Sequence, residues 1–362
     1  MELMTESSRT NLPAGEHGDV DLEHRRTFRI LQSGALFRYD LDGSGPAYSY
    51  TSGADPDDPK VPEATWTKGG ELMSYRGPIQ GLNNASLQLE GAEHRGRIVL
   101  PFYLQMDGQH PDYTREQRGG YATYQGKTIL LETHTHVPEM SGSFMVYSDD
   151  EGQSWSTSDG FMMGYFDHGN MGFTTADEPI VAELSDGRLL CYLRSTCGRI
   201  VRSHSGDGGA TWSKVEPTDL ANSNSPCALA RIDGTTDLVL IWNQVSAEEI
   251  RAGYRRGRLS LAVSRDDGET WQAFKTLERV STLEDIERIE PPALTSMVRG
   301  ACGSDTLMGS VPDDLAHYGY PEIYFFGDGM LSVCYKQHRP TQPLPVKWRT
   351  FPVSSLYEPA SS

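Results

Sequence analysis

Cysteine, positive charge and long apolar runs are all scarce in this sequence of 362 residues. The five cysteines are an odd number with no Cys-x-x-Cys pair, which predicts buried reduced thiols rather than a disulfide framework or a zinc site. Lysine and arginine number 32 against 50 aspartates and glutamates, and the formal net charge of −18 argues against nucleic acid or an anionic membrane as a partner. No apolar run reaches the roughly 18 residues of a membrane-spanning helix, so none is expected.

The first residues are polar and acidic, and they lack the apolar core of a secretory signal. We therefore expect a disordered tail over residues 1–24, followed by a single domain over residues 25–358. A chain without such a signal is expected to be cytoplasmic, or secreted if it has already been processed.

What the sequence does contain is turn-forming residues, with 37 glycines, 21 prolines and 17 tyrosines. This composition is typical of many short strands joined by tight turns. One octapeptide pattern, Ser-x-Asp-x-Gly-x-(Ser/Thr)-Trp, occurs three times, starting at residues 148, 205 and 264, which are 57 and 59 residues apart. A turn signature at a near-constant period indicates a repeated supersecondary unit.

Each part of the octapeptide has a structural task. The glycine can adopt the positive φ of a tight hairpin, and the aspartate two residues earlier can accept hydrogen bonds from backbone N–H groups of the turn. The tryptophan supplies a large apolar anchor. Since apolar, alternating residues lead into each copy, the pattern predicts a strand, a turn and a second strand.

The three copies resemble the Asp box, or BNR repeat, of the sialidase superfamily. The resemblance implies an all-β fold, a β-propeller of six blades (five as the alternative) with four-stranded antiparallel blades. It also implies that the box aspartates are structural and lie away from the active site. A long insertion at about 278–317 breaks the strand rhythm, and we expect it to lie over the mouth, the open end of the central channel.

Two polar residues stand at the ends of an otherwise apolar hairpin, Glu178 and, 16 residues later, Arg194. Inner strands of a propeller start at the channel, so both side chains are expected at the mouth. The whole segment resembles the sialidase segment that carries the buried catalytic glutamate and the second of three substrate-binding arginines. A surface glutamate with a structural arginine is the alternative.

Two further residues match the family after the second box. Arg256 resembles the third substrate-binding arginine, with Arg258 as the alternate. Tyr320, placed between Gly319 and Pro321 at the start of a predicted strand, resembles the nucleophilic tyrosine. A sialic acid carries its carboxylate on the anomeric carbon, so a neutral tyrosine activated by a glutamate avoids the charge repulsion that a carboxylate nucleophile would meet.

The N-terminal half departs from the family. Asn84 stands where the first arginine is expected, and Arg76 or Arg118 is the candidate to replace it. Asp107 falls at the expected distance for the acid/base aspartate, with Asp112 as the alternate and a solvated loop aspartate as the other interpretation. Since a missing charge-assisted bond weakens carboxylate binding by roughly ten- to hundredfold, the site could also suit a different or neutral sugar.

Glu132, His134 and His136 alternate along a predicted strand and therefore share one face. Structural histidines, sugar contacts at the mouth and half of a metal site are the three interpretations. We assign no metal and no cofactor to the chain on this pattern.

These patterns favour an exo-acting glycoside hydrolase that releases a terminal sialic acid or a related acidic sugar by a retaining Tyr/Glu mechanism. The assigned partner is therefore a carbohydrate, and the oligomeric state stays open. A non-catalytic glycan-binding propeller is one alternative, and a carbohydrate-active enzyme with a different substrate or chemistry is the other.

Overall fold

The computed structural model describes the strands within residues 25–80 and 121–138, and the ranges 86–105, 141–165, 173–291 (except 196 and 255), 312, 314, 316–326, 329–338 and 346–358. Strands dominate these ranges. The helices in them are short: α1 (Ala247–Arg251) and a 3-10 turn at Val353–Tyr357. No helix in the described part of the chain is long and apolar enough to cross a membrane.

The strands of the N-terminal half form two main sheets. The first contains, in spatial and chain order, β1 (Arg25–Ile30), β2 (Ala35–Asp40), β3 (Pro46–Tyr50) and β4 (Thr67–Glu71). The second is built from β5 (Ile79–Gln80), β6 (Leu87–Gln88), β7 (Ile98–Gln105), β12 (Ser141–Ser148) and β13 (Ser156–Thr157), in the order β13-β12-β7-β5 with β6 also paired to β7. Short pairs accompany it: β8 (Tyr121–Tyr124) with β9 (Lys127–Leu130), β10 (Thr133–His134) with β11 (Val137–Pro138), and β14 (Gly164–Tyr165) with β15 (Phe173–Thr174).

The C-terminal half continues with three sheets in simple chain order. The third sheet contains β16 (Asp177–Glu183), β17 (Leu189–Arg194), β18 (Arg199–Ser205) and β19 (Glu216–Ala221). The fourth contains β20 (Ala228–Arg231), β21 (Leu238–Trp242), β22 (Arg258–Ser264) and β23 (Gln272–Arg279). The fifth contains β24 (His317–Phe326), β25 (Met330–His338) and β26 (Val346–Pro352).

The all-β prediction is confirmed, and the fold is a β-propeller with four-stranded antiparallel blades. The described residues contain four sheets with a path of four strands and one three-stranded sheet, not the six blades expected. Between β23 and β24, where the insertion was expected, the described residues form no strand.

The first strands of the last three sheets lie side by side, since β16 contacts β20 and β20 contacts β24. These strands therefore form the inner edges of their blades. The middle strands are buried on both faces between neighbouring blades, which explains continuous apolar runs such as Leu238–Trp242, all of it buried. One core cluster joins the second and third blades through Val99 and Val181, and another joins the third and fourth through Ile180 and Trp242.

The octapeptide forms the hairpin that the sequence predicts. In the first copy, Ser148 Oγ accepts from the Gly152 N–H at 2.8 Å, and Asp150 accepts from the backbone N–H of Ser154 at 2.8 Å. Both other copies repeat these bonds. The box glycines have positive φ, as predicted: Gly152 83°, Gly209 92° and Gly268 85°.

Contacts of the boxes also tie the second blade to the third and the third blade to the fourth. Arg97 on the second blade binds Asp149 of the first box through two bonds of 2.7 and 2.9 Å, and it donates to the Gly208 carbonyl of the second box at 3.1 Å. Asp267 of the third box accepts from the N–H of Ser185 on the third blade at 2.9 Å. These contacts give the boxes a structural role on the outside of the ring.

Acid is expected to weaken these hairpins. Each box contains one aspartate that accepts hydrogen bonds from the turn: Asp150, Asp207 and Asp266. Partial burial raises the pKa of these carboxyl groups, but the hydrogen bonds lower it more, so the net pKa lies below the ordinary value. A carboxylate with a lowered folded-state pKa stabilises the fold above the unfolded pKa of about 3.9 and loses that contribution as pH falls below it. The thermal unfolding midpoint should therefore drop most steeply below about pH 4.

Asp266→Asn is the variant that checks this, because it removes one titrating group. Its unfolding midpoint should be lower at pH 7 and should fall less between about pH 4 and 3 than that of the parent protein. Asp285→Asn, at a largely exposed aspartate outside the boxes, is the control. Equal slopes in the parent and in Asp266→Asn would contradict the assignment.

Four of the five cysteines lie in the described part of the chain, and Cys191, Cys197, Cys227 and Cys334 are buried thiols there, as predicted. Burial raises the pKa of the Cys227 thiol to about 12, which keeps it protonated and unreactive.

Candidate active site at the mouth

Three consecutive blades carry the same backbone device at the start of the inner strand. Glu178, Asn224 and Tyr320 all adopt positive φ, at 44°, 54° and 54°. Pro179 and Pro321 directly follow the first and the last of them, and strand pairing shifts register at both places. Non-glycine residues rarely adopt such a φ, and they do so at a cost of about 1–3 kcal/mol where the surrounding structure holds them.

A buried ion pair forms the floor of the site. Arg194 Nη1 donates to Glu178 Oε2 at 2.8 Å, and both residues are 4% exposed. The Nε of Arg194 donates to Asn224 Oδ1 at 2.7 Å. Burial lowers the pKa of Arg194, but the charges of Glu178 and of buried Asp177 more than offset this, and the net pKa is raised. Arg194 therefore stays charged.

Arg256 extends this network toward the tyrosine. Its Nη2 donates to the Asn224 carbonyl at 3.0 Å, and its guanidinium carbon lies 5.5 Å from the ring centroid of Tyr320. Gly319 makes room for it, since a Cβ there would come within 3.3 Å of Arg256 Nη1. Burial and the nearby charge of Arg194 lower the pKa of Arg256, with Tyr320 opposing them.

Tyr320 occupies the open side of the cluster. It is 36% exposed, which makes it one of two exposed large hydrophobic residues in the described ranges. The ammonium of Lys336, on the neighbouring strand, lies 5.0 Å from its ring centroid. Tyr320 and Glu178 both act electrostatically on Arg256. The tyrosine and the glutamate therefore lie in one cluster and not on opposite sides of the molecule.

A second tyrosine, Tyr103 on β7, approaches from the second blade. It is 6% exposed, and burial together with the charges of Glu178 and Asp177 raises its pKa. Tyr320 contributes to the same shift. Tyr103 is thus a buried, neutral phenol beside the ion pair.

Of the predicted residues, the structure brings together Glu178, Arg194, Arg256 and Tyr320. The alternate Arg258 does not belong to this group. Its side chain is fully buried and donates to Glu249 of α1 at 2.8 Å, so it fastens the helix to the fourth blade.

The remaining sequence candidates lie outside the described residues, and their roles stay predictions. They are Asn84, Asp107, Asp112, Arg76, Arg118, Glu132, His136 and the side chain of His134. No group of three metal-binding side chains occurs among the residues that the structure describes.

Sequence reasoning missed Asn224, Tyr103 and Lys336. Asn224 had a readable signal, because Ser223-Asn224-Ser225-Pro226 precedes the inner strand of the blade between those of Glu178 and Tyr320. In each of the three blades, therefore, a residue of the site precedes a proline, directly for Glu178 and Tyr320 and by two positions for Asn224. Tyr103 and Lys336 lie within strands, and no local pattern distinguishes them.

The BNR repeat-like domain family matches residues 63–333. Curated protein sequences contain no match to the chain. Among solved structures, the chain is similar to an intramolecular trans-sialidase from Ruminococcus gnavus in complex with oseltamivir carboxylate, at 14% identity and a TM-score of 0.33 over 92% of this chain and 94% of that one. A K499G mutant of the NanB sialidase from Streptococcus pneumoniae has 12% identity and a TM-score of 0.35 over 88% of this chain and 65% of that one. An α-L-arabinanase from Penicillium chrysogenum complexed with arabinobiose has 12% identity and a TM-score of 0.43 over 91% of this chain and 93% of that one.

Since the family match spans most of the 362 residues and includes all three boxes, this chain belongs to the BNR repeat-like domain family.

Proposed function

We propose that the protein is an exo-acting glycoside hydrolase that releases a terminal sialic acid or a related acidic sugar with retention of anomeric configuration. The observation that supports this most is the cluster of Tyr320, Glu178, Arg194 and Arg256 around an exposed phenol. Two cationic guanidinium groups, a buried carboxylate and an accessible tyrosine are the groups that such a reaction requires.

In the first step, the Tyr320 oxygen would attack the anomeric carbon while Glu178 accepts the phenolic proton. The salt bridge to Arg194 engages Oε2 of Glu178, so Oε1 is the oxygen assigned to take that proton. The bond to the leaving oxygen breaks, and Asp107 is assigned to protonate it. Water then attacks the same carbon and gives a proton to Asp107, while the bond to Tyr320 breaks and Glu178 returns its proton to the phenolic oxygen. The two inversions give overall retention.

Arg256 is assigned to the carboxylate of the sugar, since its guanidinium lies beside the Tyr320 ring at the open side of the site. Arginine suits this role because its fork of N–H groups can bind both carboxylate oxygens. Arg194 is bound to Glu178 and Asn224, so its first task is to hold the base in place.

The number of blades is also part of the proposal. The described strands account for five sheets with three or more strands each, which favours the five-bladed alternative over the six-bladed ring.

A glycan-binding propeller without turnover is the second candidate. The uncharged Asn84 in place of an arginine favours it, because one charge-assisted contact to the ligand is then missing.

Proton NMR of aryl sialoside hydrolysis tests the proposal, and the expected first product is the anomer with the configuration of the substrate. Thermal-shift measurements with sialic acid and its dehydrated analogue accompany it. An enzyme should bind the transition-state-like analogue far more tightly than the product. Inversion of configuration would contradict the tyrosine mechanism, and equal binding of both ligands without turnover would favour the binding module.

A further inference from the structure

Lys336 is the one exposed residue in an otherwise buried stretch of β25, residues 331–337. It pairs directly with Gly319 across the β24–β25 ladder, one position before Tyr320. The ladder therefore fixes its backbone beside the proposed nucleophile.

The position of its charge is what singles it out. The ammonium nitrogen lies 5.0 Å from the Tyr320 ring centroid, within the range of a cation–π contact. Arg256 reaches the same ring at 5.5 Å. Two cations thus flank one partly exposed phenol, and both can approach a ligand bound over it.

The side chains of the two arginines are hydrogen-bonded within the protein, which leaves them less available to a ligand than Lys336 is. Arg194 is buried in its bonds to Glu178 and Asn224, and Arg256 donates to the Asn224 carbonyl. Within the described residues, Lys336 has no ion pair and no hydrogen bond to another side chain. Its charge is therefore available to a ligand at little cost in desolvation.

We propose that Lys336 is the third cation for the sugar carboxylate and sets the preference for an acidic over a neutral sugar. This inference rests on the proposed function. It replaces the expectation that Arg76 or Arg118 compensates for Asn84. An ammonium group is a compact charge with three rotatable donors, so it can bind a carboxylate oxygen without the planar fit that a guanidinium demands.

Isothermal titration calorimetry with N-acetylneuraminic acid and with its methyl ester tests the proposal, since the acid carries the negative carboxylate and the ester does not. Lys336→Gln should weaken binding of the acid roughly ten- to hundredfold and leave binding of the ester nearly unchanged. Lys336→Arg should retain most of the preference for the acid. Lys214→Gln removes an exposed lysine in the second box hairpin and is the matched control, with no expected change.

Three outcomes would overturn the inference, and they differ from one another. If Lys336→Gln keeps the full preference for the acid, the lysine is not a carboxylate ligand although the proposed function stands. If both ligands weaken equally, Lys336 only orients the tyrosine ring. If the parent protein binds neither ligand, the proposed function fails and takes the inference with it.

Discussion

Replacing Tyr320 with phenylalanine is expected to lower kcat for an aryl sialoside by at least about 10³-fold, because the substitution removes the attacking hydroxyl. The aromatic ring stays, so the contacts of Arg256 and Lys336 with the ring are retained. The fold should therefore be unaffected, with an unchanged thermal unfolding midpoint. Binding of sialic acid should change little, which a titration of the variant can measure.

Tyr324→Phe is the matched control for this prediction. Tyr324 lies four residues further along the same strand, and its hydroxyl donates to Glu322 rather than to the site. It should keep its turnover. Normal turnover in Tyr320→Phe would remove the tyrosine from the mechanism, whereas loss of activity in both variants would indicate a general disturbance of β24.

Removing the carboxylate of Glu178 should produce the largest loss of stability of any single substitution at the site. Arg194 is 4% exposed, and without Glu178 it loses the carboxylate that accepts its Nη1 bond and keeps the Asn224 amide and the charge of buried Asp177. Breaking a buried ion pair in this way costs about 3–5 kcal/mol. Urea unfolding of Glu178→Ala should show a decrease of that size in the free energy of unfolding.

A double-mutant cycle separates the ion pair from other effects of the substitution. Arg194→Met replaces the charged side chain with an unbranched apolar one. The double variant Glu178→Ala/Arg194→Met should be more stable than the sum of the two single losses predicts, by about 0.5–3 kcal/mol. Glu178→Gln keeps an oxygen acceptor and should fall between the parent and Glu178→Ala. Strict additivity in the cycle would show that the charges of the two residues are not coupled.

The parts of the site that could be predicted are those that one hairpin determines. Glu178 lies at the start of β16 and Arg194 at the end of β17, and antiparallel pairing of these two strands places them side by side. Each box is likewise local, because the hydrogen bonds that shape its turn join residues at most four positions apart. Such features depend on turn chemistry and alternation, which a single sequence displays.

The rest depends on how neighbouring blades meet. Asn224 links Arg194 with Arg256 across the boundary between the third and fourth blades, and Tyr103 comes from the second blade. No local pattern encodes these distances. For the same reason, sequence alone could not decide between Arg256 and Arg258. Arg258 donates to Glu249 of α1, a helix that no local pattern predicted.

The positive φ values at the mouth have a consequence for the evolution of this protein. Glutamate, asparagine and tyrosine occupy equivalent kinks, so the kink does not depend on the side chain that it presents, and glycine would adopt it with less strain. At Tyr320, whose side chain is exposed, the chemical group is thus held at the expense of conformational stability, and selection for robustness alone would favour its loss, whereas Glu178 and Asn224 are also held by their bonds to Arg194. A relative with glycine in place of Tyr320 would be expected to keep the ring and to lack the proposed activity.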